Sequence, residues 1–100
     1  MQDLTQAISA WSDERLAGMR RGVEKESLRT RADGHLATSA HPGALGSALT
    51  HPHITTDFSE AQIELITGVH ASAQACAEEL QAVQTFTLDA IGEELLWPSS

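Results

Sequence analysis

Apolar residues in the first part of the chain fall at helical spacing, at Leu4, Ile8 and Trp11, after an Asp3 and Gln6 that suit a capped helix start. The stripe thins through Ser12-Asp13-Glu14, and Leu16 and Met19 carry it on, predicting a helix to Gly18 or Arg20. Val23 to Arg29, within "RGVEKESLR", alternates like a strand and places Glu24, Glu26 and Leu28 on one side. Asp33-Gly34 reads as a hairpin turn, with Leu36-Ala37-Thr38 as a short return strand. "HPGALGSALTHPH", residues 41 to 53, is broken by prolines and glycines and predicts a loop with at most one helical turn.

"ITTDFSEAQIELIT", residues 54 to 67, is a β-branched run ending before Gly68. In one flat strand Asp57 and Glu64 would point to opposite faces. They share a face only if the chain bends or bulges between them, and Ser59-Glu60 is the expected place. From Ser72, a natural N-cap, a helical stripe runs through Ala73, Cys76, Leu80, Val83, Thr87 and Ala90, with Phe86 and Ile91 beside it. Glu78, Glu79, Gln81 and Asp89 lie elsewhere on that helix, which describes a surface helix packed on a sheet. Leu95-Leu96-Trp97-Pro98 is an apolar approach to something further on, so the chain is expected to be a truncated piece.

One hundred residues with 41% hydrophobic content suit one domain and one modest core. No apolar run is long enough to span a bilayer, and Met1 to Leu4 lacks the pattern of a secretory signal. One cysteine, Cys76, makes neither an internal disulfide nor a thiolate zinc site and is expected in the core. A reducing, cytoplasmic setting fits. The net charge of −8 is uneven: all six basic residues lie between Arg15 and Arg31, and nine acids follow with no Lys or Arg. That argues against nucleic acid as a partner. Arg15, Arg20, Arg21, Lys25, Arg29 and Arg31 form either a solvated charged segment or a site for one small anion.

The sharper chemistry lies in the acids. Neighbouring same-face carboxylates on a strand stand about 6.5 to 7 Å apart and repel by about 2 kcal/mol at an effective dielectric near 20. Glu24 and Glu26 describe either a solvated edge or a cation site. If Asp57 and Glu64 join them, all-oxygen ligation points to magnesium or manganese. His51 and His53 flank a proline and read as structural. Gly43 and Gly46 make no phosphate loop, and no nucleophile-base set stands out.

"RGVEKESLR", "ADGHLATSAHP", "ALGSALTH" and "ITTDFSEAQIELIT" resemble, in order and spacing, the N-terminal part of the proteobacterial glutamate–cysteine ligases, from about Trp11 to Trp97. The resemblance implies an α+β fold, an antiparallel sheet with flanking helices that forms the N-terminal part of a glutamine-synthetase-like catalytic fold, with residues 1–100 a fragment of the catalytic domain. It implies ATP-dependent joining of the L-glutamate side-chain carboxylate to L-cysteine, the first step of glutathione synthesis, with magnesium, ATP and the remainder of the ligase chain as partners. Carried over, Glu24 and Glu26 match the paired glutamates of the family's first strand, and Asp57 and Glu64 match its later acids. These four are the expected metal ligands, with Asp57 or Glu64 alternatively holding the glutamate amine. Lys25 stands where arginine is common, Pro52-His53 replaces a usual Lys-Trp, and Gly68 stands where proline is frequent. None of these removes a ligand. A small stand-alone metal-binding or interaction domain is the rival expectation.

Overall fold

The computed structural model describes residues 3–46, 52–56 and 59–98. Two short helices come first, α1 (Leu4–Ser9) and α2 (Asp13–Ala17). The single helix expected here is broken because Ser12 competes for the backbone. Its hydroxyl accepts from Arg15 N at 3.1 Å and starts a new helix, with Asp13 and Glu14 favourably placed in the first turn. Asp3 caps α1 as expected, accepting from Gln6 N at 3.1 Å. Neither helix has a buried residue, so the stripe of Leu4, Ile8, Leu16 and Met19 stays open among the described residues.

Strand β1 (Glu24–Thr30) is followed by the Asp33-Gly34 turn, where Gly34 takes φ 88°. Asp33 receives Arg31 Nη2 at 2.6 Å and His35 N at 3.0 Å. The return strand shrinks to one bridge between Thr30 and Leu36, plus Ala37 N donating to Arg29 O at 2.9 Å. Arg29 N donates to Ala61 O at 2.7 Å, so another strand already takes that edge of β1. The loop after it holds one 3₁₀ turn, Gly43–Leu45, as the glycines and prolines suggest.

Residues 54 to 67 are not one strand: of the two expectations, a bend or a bulge at Ser59-Glu60, the structure takes the bend. They form β2 (Ile54–Thr55) and β3 (Gln62–Ile66), which pair antiparallel, Ile54 opposite Leu65 and Thr55 opposite Glu64. The chain reverses rather than bulges, and Gln62 N donates to Ser59 O in the turn. Helix α3 (Ala73–Ile91) starts where Ser72 Oγ accepts from Ala75 N and ends at Gly92, φ 66°. The final apolar residues form an edge strand, β4 (Leu95–Trp97), against Leu28, Arg29 and Thr30. The sheet order is β2-β3-β1-β4, with every pairing antiparallel. This is the expected α+β class.

Period-two alternation sorts the sheet into two faces. Ile54, Ile63 and Leu65 are fully buried and pack with Leu45 and Ile91, against which Leu80, Val83, Ala90 and Leu96 lie. Thus α3 covers one face with the stripe read from its spacing, and Cys76 is buried as expected. Thr87, also fully buried, satisfies its hydroxyl on Val83 O at 2.8 Å. No helix among the described residues is long and apolar enough to cross a membrane.

Arg29 enters the same covered layer with its side chain fully buried. Nη1 donates to Ser39 Oγ (2.9 Å) and Glu94 Oε1 (2.7 Å), and Nη2 donates to Ser39 O and Glu60 O (both 2.8 Å). Ser39 Oγ closes the ring by donating to Glu94 Oε2 at 2.6 Å. One guanidinium therefore joins β1, the segment after the hairpin turn, the β2–β3 turn and the α3–β4 turn. The remaining basic residues go separate ways: Arg15 stacks over Trp11, Arg21 donates to Met19 O, Lys25 to Ser27 Oγ and Arg31 to Asp33.

A second tie lies at the far end of β3. Glu79 of α3 accepts from Gly68 N and stands 3.2 Å from His70 Nε2 and 4.0 Å from His53 Nδ1. The Gly68 amide chiefly holds the Glu79 carboxyl below its ordinary value, against the cost of burial. For Glu94 burial is the largest influence and pushes the carboxyl up. The Ser39 hydroxyl and the Arg29 guanidinium outweigh it, and the net shift is downward.

Two outcomes follow from these ties. Arg29→Met should destabilise the fold by about 3–5 kcal/mol, because it leaves Glu94 and two backbone carbonyls without their buried donor; urea denaturation measures it. Both carboxyls have folded values below the ordinary 4.5. Their stabilisation is complete above that value and is lost as pH falls through the lower folded ones. Melting temperature should therefore fall on acidification below about pH 4.5, and less steeply in a Glu79→Gln, Glu94→Gln double variant.

Candidate functional site

The uncovered face of the sheet carries the acids. On β1 it presents Glu24, Glu26, Leu28 and Thr30, and on β3 Gln62, Glu64 and Ile66, since opposite residues in a ladder share a face. Thr55 of β2 joins beside Glu64, and Leu95 and Trp97 of β4 join beside Thr30 and Leu28. No Lys, Arg or His occupies these positions. Why this segment shows such a face follows from β1 itself. Its odd positions, Ser27 and Arg29, are buried toward α3, so the even positions must point the other way.

Three of the four expected ligands therefore come to one face. Glu26 stands directly opposite Glu64, and Glu24 lies two residues along the same strand, opposite Ile66. Directly opposed residues in antiparallel strands hold their Cβ atoms about 4.5–5.5 Å apart, where like charges are destabilising. Glu24 and Glu26 are exposed and Glu64 is half-buried. The fourth, Asp57, lies outside the described residues, as does His51. Among the described residues no three His, Cys, Asp or Glu side chains converge closely enough to hold an ion as they stand. Glu24, Glu26 and Glu64 thus form an acid wall, lined up on one face but not closed around a point. The donor set is all carboxylate oxygen, at described strand positions that include no Lys, Arg or His, which fits a hard divalent cation.

Two contributors went unseen in the sequence. Gln62 Nε2 donates to Glu26 Oε2 at 3.3 Å, so a neutral amide orients one of the acids. Its signal was its parity with Glu64, legible only once β3 is known to pair with β1. The second is an apolar groove of about 340 Å³ lined by Thr30, Gly34, Leu95, Leu96 and Trp97, next to the acid wall along the free edge of β4. His53 behaves as a structural residue: its Nδ1 lies 2.8 Å from Ile66 O, tying the start of β2 to the end of β3.

Comparison with known proteins agrees with this fold. The profile of the glutamate-cysteine ligase family matches residues 4–100. The glutamate–cysteine ligase of Pseudoalteromonas translucida (strain TAC 125) is 46% identical over 102 residues, covering 98% of this chain and 19% of the relative. That of Alcanivorax borkumensis (strain ATCC 700651 / DSM 11573 / NCIMB 13689 / SK2) is 53% identical over 85 residues, covering 85% and 16%. The crystal structure of a Francisella tularensis glutamate–cysteine ligase in complex with AMP superposes with a TM-score of 0.75 at 46% identity, over 77% of this chain and 16% of that one. A bifunctional glutathione synthetase from Pasteurella multocida superposes with a TM-score of 0.76 at 36% identity, over 79% and 11%. The chain thus spans less than a fifth of the length of these relatives. With its fold, its motifs and nearly its whole length in agreement, the chain belongs to the glutamate–cysteine ligase family.

Proposed function

We propose that this chain supplies one acid wall of a magnesium, ATP and glutamate site in an enzyme that joins the L-glutamate γ-carboxylate to the amine of L-cysteine. The observation that carries the reading is the open sheet face with Glu24, Glu26 and Glu64 and no basic residue, in a chain of this family. The AMP bound by the Francisella relative supports an adenine nucleotide as co-substrate. Family membership over residues 4–100 favours this reading over a stand-alone cation-binding domain. A reducing cytoplasm suits the reading, and the single cysteine is free and buried.

The residues explain what such a wall does. Glu24, Glu26, Glu64 and, by resemblance, Asp57 would hold magnesium, which offsets the charge of the triphosphate and the incoming carboxylate. A carboxylate oxygen of glutamate attacks the terminal phosphorus of ATP and ADP leaves. The cysteine amine then attacks the acyl carbon, phosphate departs, and the amine loses a proton to solvent. The first step brings the glutamate carboxylate to the triphosphate, so a face of carboxylates would work there only with cations between it and the substrates. Gln62 keeps Glu26 oriented without adding charge. The buried face beneath fixes the strands that carry the acids, and the acid side chains must close together to hold a cation. The groups that contact phosphate and the cysteine pocket are assigned to the remainder of the ligase chain.

In a full-length enzyme carrying this segment, Glu24→Gln or Glu26→Gln should lower turnover by orders of magnitude, with partial rescue at raised magnesium. His53→Ala should shift the magnesium dependence far less. Without divalent cations, Glu26→Gln should instead raise stability by a few tenths of a kcal/mol, since it removes a like-charge pair. Near-native turnover of both acid variants at low magnesium would rule the site out.

Residues 1–100 alone should show no glutamate- and cysteine-dependent ADP release and should self-associate. Leu95 and Trp97 are exposed on β4, and β4 stands at a free sheet edge of the kind that pairs with other chains. Sedimentation and coupled ADP assays measure both. A monomer with a cooperative thermal transition would contradict the association.

A further inference from the structure

We propose that Arg29 is a positioning residue for the acid wall, acting through the sheet from its opposite face. The inference rests on the magnesium reading above and adds to it a residue that touches neither cation nor substrate. Arg29 holds two consecutive carbonyls where the chain enters β3. Its backbone N donates to Ala61 O at 2.7 Å, and its Nη2 donates to Glu60 O at 2.8 Å. The next steps of the ladder are Leu28 opposite Gln62, Ser27 opposite Ile63, and Glu26 opposite Glu64. The clamp therefore stands only three residues from the acid pair.

Hydrophobic patterning does not complete this specification. A one-residue slip of β3 is forbidden by burial, because it would turn Ile63 and Leu65 out and Glu64 in. A two-residue slip keeps both faces chemically correct: Ile63 and Leu65 stay under α3, and Glu64 stays on the open face. It would move Glu64 by about 6.6 Å along β1, opposite Glu24 or Leu28 instead of Glu26. Smaller tilts of β3 are equally invisible to burial. What distinguishes the observed arrangement at this end is a directional contact to a specific carbonyl, which the guanidinium supplies.

The chemistry of the residue supports the role. Four of its five N–H donors are used, leaving only Nε without a partner among the described residues. The planar fork reaches Ser39, Glu60 and Glu94 together, whereas a lysine has three donors on one point and cannot span them. The charge of Arg29 is matched by Glu94 within the same layer, so it is a poor counter-ion for the acids beyond the sheet. Its effect on the wall is geometric.

The test uses a full-length enzyme carrying this segment, with variants Arg29→Lys, Arg29→Met, Ser39→Ala and Glu94→Gln. The readouts are the melting temperature and the magnesium concentration for half-maximal turnover at saturating substrates. Ser39→Ala and Glu94→Gln leave the Glu60 contact in place, so they should lower the melting temperature but hold the magnesium value within twofold. Arg29→Met should raise that value at least tenfold, with Arg29→Lys in between. If the Met variant does not fold, the Lys variant decides, read against Ser39→Ala. Arg29 variants that melt early but keep the magnesium value within twofold would overturn the proposal. If Glu24→Gln and Glu26→Gln themselves leave the magnesium dependence unchanged, the site reading fails instead, and the two failures are told apart.

Discussion

The fold is organised around one buried positive charge. A guanidinium taken out of water costs less when its donors and its charge are met, and Arg29 meets its charge and four of its five donors by gathering parts of the chain far apart in sequence. Ser39 and Glu94 are brought to each other as well as to the arginine. The consequence reaches every strand. β1 carries the arginine, the turn between β2 and β3 offers Glu60, and Glu94 stands immediately before β4. An apolar residue at position 29 would pack under α3 but would not say where those turns belong.

Around that clamp the sheet divides its labour by face. One side is hydrocarbon closed by α3, and its burial drives folding. The other presents Glu24, Glu26 and Glu64 at strand positions that hold no Lys, Arg or His, with Glu26 set directly against Glu64. A sequence selected for stability alone would place a lysine among them. The absence of one from these positions breaks a local rule, as the proposed site would require, and the covered face compensates for it.

The same division explains what the segment lacks. Leu95 and Trp97 belong to the open face and are exposed, and β4 offers an unpaired edge. The exposed stripe of α1 and α2 points the same way. The relatives are five or more times longer, and surfaces of this kind are where a larger fold continues.

Local order was legible from residue types. Asp3 and Ser72 capped helices where their side chains predicted, the alternation of β1 put Glu24 and Glu26 on one face, and the α3 stripe identified the buried side. These features depend on neighbours one to four residues apart, which a sequence displays directly. The ordered motifs also carried the family. What the sequence left open or misjudged involved competition or distance: Ser12 splitting the first helix, and residues 54 to 67 bending at Ser59-Glu60 far enough to pair as a hairpin. Nothing local singled out Arg29 among six basic residues, since its environment comes from Ser39, Glu60 and Glu94. Nor did parity within one strand reveal that Glu26 faces Glu64 with Gln62 beside it. Residue chemistry by itself determined which side chains could form an acid wall; only the tertiary register decided which of them stand together, because strand pairing is a contact between segments more than thirty residues apart.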